Sequence, residues 1–221
     1  MDNKIKNALI QCVTHYSIDN APAAEQLSGE LVNVFSSTDS FMDKVSQLDS
    51  LIDDHSDYEA LREVLFDLLM LNFFSSDVSR LESDYMESEE WAEIEEQTLD
   101  RGTELLNFLL YLAECADEEI DPDLEDYLQE FLLVDEDEFQ DEHHIYEPII
   151  SRQILVESSF GEIANAARSI PKDQELADLF YPIMAYFYEP VPDAEDLREF
   201  EQFAPNPAFD RAVYQALVHY K

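Results

Sequence analysis

Glycine, positive charge, cysteine and long apolar runs are all scarce in this chain, and each scarcity removes a class of protein. Only Gly29, Gly102 and Gly161 occur in 221 residues, none in an Asn-Gly, Asp-Gly or Gly-Gly pair. Two-residue hairpin turns depend on such pairs, so an extensive sheet is not expected. The two cysteines, Cys12 and Cys115, lie far apart without CxxC spacing. Each falls in an apolar helical pattern that suits a small buried thiol, which argues against a disulfide. Residues 1–6 lack a continuous apolar segment, and the longest apolar stretches, 64–74 and 105–113, are too short to span a bilayer. The expectation is a soluble cytoplasmic protein with no membrane partner.

Twelve lysines and arginines stand against 52 acids, for a formal charge of −40. Such a field repels nucleic acid and anionic membranes and attracts basic proteins and cations; it also strains any compact state through self-repulsion. No basic patch with interleaved aromatics occurs, so direct nucleic-acid binding is not expected. GxSxG, Walker, GxGxxG and HExxH patterns are missing as well, so neither an enzyme activity nor a cofactor is expected.

What remains is the composition of a folding chain, 46% apolar with 14 Phe and 11 Tyr. Helix-start signals are frequent. Pro22, Pro122 and Pro207 stand where a first helical residue would, and Ser56-x-x-Glu59 and Ser159-x-x-Glu162 have capping-box spacing. These marks predict helices near 3–16, 22–36, 39–54, 57–75, 77–86, 89–115, 122–133, 137–157, 159–169, 172–188, 193–203 and 207–220. Pro148 and Pro182 would kink two of them. No solenoid repeat is present. The predicted fold is all-α, a compact bundle of roughly ten to twelve helices without significant sheet. It forms a single domain over 1–221, with the segment 89–115 as its central element; a subdivision near 134–144 is the alternative.

The charge is unevenly spread. Residues 82–147 hold 26 of the 52 acids and one base, Arg101. In the segment 89–115, Trp91, Ile94, Thr98, Gly102, Leu105, Leu109 and Leu112 form one helical stripe, which predicts a core face. Glu89, Glu93, Glu96, Asp100 and Glu104 form a second stripe on the opposite side, with neighbours roughly 5–6 Å apart. Like charges at that spacing cost about 0.2–0.5 kcal/mol per pair. The acid excess continues through Glu118, Glu119, Asp123, Glu125, Asp126, Asp137 and Glu138, which predicts one extended anionic surface. Duplex DNA carries a charge about every 1.7 Å of axis, and several carboxylate rows could approach that density.

Two segments have partial metal-ligand spacing. Asp141, His143, His144 and Glu147 stand three or four residues apart, so a helix could bring them to one ion, yet a helical di-metal centre needs a second Glu-x-x-His, and none exists. Asp121-Pro-Asp123-Leu-Glu125 begins like a calcium loop but has Asp126 in place of glycine and Leu132 in place of the bidentate glutamate. The aromatic run from Tyr181 to Tyr188 reads as core. The functional expectation is therefore a non-catalytic protein whose carboxylates bind and neutralise a basic partner, either as a mimic of nucleic acid or as an inhibitor or immunity protein for a basic toxin or nuclease. Its rivals are a metal-dependent enzyme using 141–147 and a helical scaffold with a salt-adapted surface.

Overall fold

The computed structural model describes residues 1–17, 20–75, 85, 87–131, 133–135, 138–139 and 145–220, with the backbone alone for 130, 131, 133–135 and 138–139. The chain is a compact helical bundle. Its elements are α1 (Asn3–Tyr16), α2 (Ala21–Ser36), α3 (Phe41–Asp54), a 3-10 turn (Ser56–Leu61), α4 (Arg62–Ser75), α5 (Glu89–Thr98), α6 (Leu105–Glu118) and α7 (Leu124–Asp126), which runs into a π turn at Tyr127–Phe131. There follow α8 (Glu147–Ile150), a 3-10 turn (Gln153–Glu157), α9 (Phe160–Ala167), α10 (Phe180–Tyr188), α11 (Ala194–Phe203) and α12 (Pro207–His219). Between α7 and α8 lies a small antiparallel ribbon, β1 (Leu133–Asp135) with β2 (Glu138–Phe139), the sole sheet among the described residues.

The central helix is α4 rather than the segment 89–115. Every residue from Val64 to Phe74 is buried, including Asp67 and Asn72. A helix buried all round is one enclosed by its neighbours, and α1, α3 and α6 pack against it. The terminal helices α1 and α12 pack along each other, and α10 lies against α12. Tyr181, Phe200 and Tyr214 stack through this second part of the core, with ring centres 4.8 and 4.3 Å apart. The Tyr181 hydroxyl donates to the Phe200 carbonyl at 2.9 Å. The aromatic run is thus core, and the buried side chains form one continuous cluster.

Several boundaries move for identifiable reasons. The helix expected over 89–115 is two helices, because residues 99–104 leave the helical path and Gly102 takes φ +84°. The helix expected over 137–157 is replaced by β2, a turn at Ile145–Tyr146, α8 and a 3-10 turn; Pro148 sits in the first turn of α8, where its missing N–H costs nothing. Likewise α10 begins at Phe180, so Pro182 lies in a first turn and kinks nothing, while 172–179 form successive turns. Pro122 stands ahead of α7, whose N-cap is Asp123, and the Ser56 box is not made: Ser56 opens a 3-10 turn. Ser159 does cap α9, accepting from the Glu162 amide. Except for Tyr85, the helix expected over 77–86 lies outside the described residues.

Candidate functional site

α5 starts at Ser88, whose hydroxyl accepts from the Trp91 amide at 3.1 Å. It turns only Trp91, Ile94 and Thr98 inward, and Trp91 packs on Phe74 with ring centres 5.4 Å apart. Glu89, Glu93 and Glu96 are exposed, as are Glu90 and Glu95, which the helical wheel did not assign to the stripe. So thin a buried edge leaves most of the circumference to carboxylates. Asp100 is exposed in the loop that follows, and Glu118, Glu119, Asp123, Glu125 and Asp126 are exposed beyond it.

Among the described residues, none of these carboxylates forms an ion pair with a lysine, arginine or histidine. The one base of the region is turned the other way. Arg101 sends Nη1 and Nη2 to the Asp49 carboxylate at 3.0 and 3.1 Å and Nε to both Glu63 oxygens at 3.1 Å. The same Glu63 accepts from the Gly102 amide at 2.7 Å, and Asp67, one helical turn along α4, accepts from the Thr103 amide at 3.0 Å and the Thr103 hydroxyl at 2.5 Å. Burial pushes the Asp67 carboxyl well above its ordinary range, and the Thr103 hydrogen bonds pull it back. This clasp binds the 99–104 loop to the core and consumes Arg101's charge internally.

The placement of the acids also opposes helix electrostatics. A helix C-terminus carries partial negative charge and favours cations by about 0.3–1 kcal/mol each. α5 ends among Glu95, Glu96 and Asp100, and α6 ends among Glu114, Asp117, Glu118 and Glu119, with no base in either last turn. Glu119 goes further: it closes α6 with φ 59°, a left-handed position ordinarily given to glycine or asparagine, and the Ile120 amide reaches back to the Cys115 carbonyl at 2.9 Å.

Not every expected residue joins this surface. Glu104 is half-buried; it accepts from the Tyr146 hydroxyl in a short hydrogen bond and from Asn107 Nδ2 at 3.0 Å, so it holds the ribbon-to-α8 segment against α6. Asp123 spends one oxygen capping α7 through the Glu125 amide at 2.8 Å. Of Glu138 only the backbone, in β2, is described, while Asp137, Asp141, His143 and His144 lie outside the described residues. Glu147 is exposed in the first turn of α8. No group of three His, Cys, Asp or Glu side chains is placed to hold a metal among the described residues. Cys12 and Cys115 are buried free thiols, and burial pushes Cys12 up to about 12. No helix among the described residues is long and apolar enough to cross a membrane.

The clasp and the left-handed cap escape a reading of the sequence, although the isolated Arg101-Gly102 pair within an acidic segment is a usable signal for the former. Comparison of the chain with protein-family models, with curated proteins and with solved structures returned no match.

Proposed function

We propose that the chain is a non-catalytic acidic interaction protein whose surface on α5, α6 and α7 binds and neutralises a basic partner. It would act as a mimic of nucleic acid or as an inhibitor or immunity protein for a basic toxin or nuclease. One observation carries the reading: carboxylates that form no ion pair among the described residues crowd the C-terminal ends of α5 and α6, where they lower stability, and Glu119 holds a strained conformation there as well. A merely solvated face has no use for charge at those ends. A partner presenting lysines and arginines would relieve the repulsion on docking, and the field would steer its approach. The reading keeps the chain in the cytoplasm, in agreement with its two unpaired thiols.

Capture of partners on the immobilised protein at low salt, with mass spectrometry, tests this directly. Basic proteins should dominate the captured set. Replacing Glu89, Glu93, Glu96 and Asp100 by glutamine should then slow association and flatten the salt dependence of affinity while raising stability. An unchanged affinity and salt slope would remove this surface from the reading.

A further inference from the structure

One of the three glycines is required by the fold itself. Gly102 adopts a positive φ, and a Cβ there would lie 2.7 Å from Asp67 Oδ1; a Cβ at Gly161 would only make ordinary contact with the Phe203 ring, at 3.4 Å, where α9 meets α11. Gly29 has no such reason. It sits exposed in the middle of α2, no atom lies within 4 Å of where its Cβ would be, and a glycine in a helix interior lowers stability relative to alanine. What the glycine does is leave open the floor of a groove of about 510 Å³ between α1 and α2.

Glu25 is the one acid among the residues that line this groove. Half-buried Ile10 and Val32 line it, and Ser28, 6% exposed, lines it with a hydroxyl that has no hydrogen-bond partner among the described residues. Its two walls carry opposite charges, Lys6 on α1 and Glu25 on α2. α1 contains no acidic residue at all. In a chain of net charge −40 this is ground on which a like-charged molecule can land.

We infer that this groove is a self-association surface, where α2 of a second copy of the chain crosses at Gly29. A two-fold axis through the groove sets Lys6 opposite Glu25 of the partner subunit, and the absent side chain lets the two backbones approach. A basic partner gains little here, with a lysine on one wall, whereas the walls are complementary to themselves. The inference is independent of the acidic surface on α5 to α7, and salt separates the two: screening strengthens contact between two strongly negative copies and weakens capture of a cation.

Sedimentation velocity of the full chain at low and at molar sodium chloride provides the test. The wild type should shift toward a dimer as salt rises. Gly29→Gln puts a side chain into the groove, and its Cβ meets no atom within 4 Å, so the variant should fold, melt no lower than the wild type in dilute solution, and dimerise about tenfold or more weakly. Lys6→Glu should weaken the dimer, and Lys6→Glu combined with Glu25→Lys should restore it. A chain that stays monomeric at every salt and concentration overturns the inference, as does a dimer that Gly29→Gln leaves intact.

Discussion

The Arg101 guanidinium stands 4.7 Å from the centre of the Phe66 ring, with its edge filled by the carboxylates of Asp49 and Glu63. Asp49 is shared with Arg62, which also reaches Asp53 and Glu59, so two arginines and four carboxylates knit α3, α4 and the 99–104 loop together. Replacing Arg101 by methionine should therefore lower unfolding stability by about 1–3 kcal/mol, the loss falling short of a fully buried pair because the site is partly hydrated. Lysine should recover only part of it, since an ammonium cannot span both carboxylates. Urea denaturation of the three proteins checks the order. Hydrogen exchange should show the amides of Gly102 and Thr103 opening first.

Gly102→Ala should be at least as damaging. The positive φ costs about 1–2 kcal/mol for a residue with a Cβ, and the added carbon would press on Asp67 Oδ1, so about 2–4 kcal/mol is expected in the same measurement. Alanine at Gly29, which meets nothing, should instead stabilise the monomer.

Glu119→Gly should move stability upward, by about 1 kcal/mol, because glycine reaches the left-handed cap without strain while the Ile120 to Cys115 hydrogen bond is kept. Thermal melts at low ionic strength should show the gain most clearly. The same variant removes one charge from the proposed docking surface, so binding and stability should change in opposite senses.

Stability should fall as the pH rises from about 4 to about 7. Asp210 is buried in α12, where loss of solvation raises its carboxyl to about 7 against an opposing hydrogen bond from the Asn206 amide. The folded chain then holds this proton more tightly than the unfolded chain does. The resulting stabilisation is complete below the unfolded value and lost as the pH climbs through about 7. Asp67 acts in the same direction. Denaturation midpoints at pH 5.5 and 8 should differ in the wild type, and Asp210→Asn should narrow the difference.

The parts of the fold legible in the sequence are those decided within a few residues. Ser159 ahead of an apolar stripe locates α9, and the sparing use of glycine correctly favours helix over sheet. The break between α5 and α6 is hidden for a physical reason: Thr98, Gly102 and Leu105 keep helical spacing, so a helical wheel runs straight through it. What ends α5 is distant. Glu63 and Asp67 take the amides of Gly102 and Thr103, which in a continuous helix would donate to the carbonyls of Thr98 and Leu99. Glu104 leaves the exposed stripe for the same cause, since its partner Tyr146 is 42 residues away. The acidic surface was legible because charge, unlike a hydrogen-bond partner, is a local property. Its collision with the helix C-termini was not, because that depends on where the helices stop.

The chain has a single tryptophan, and it sits on α5, half-buried against Phe74 of the central helix and beside Tyr85. Its emission therefore watches one joint of the molecule, the seating of α5 on α4. Circular dichroism by contrast averages over the whole bundle. If the two signals part company during a denaturant titration, the acidic helix leaves before the core unfolds. If emission shifts when a ligand is added and the dichroism does not, the ligand has landed on α5. The protein carries its own optical reporter at the place where a visitor is expected.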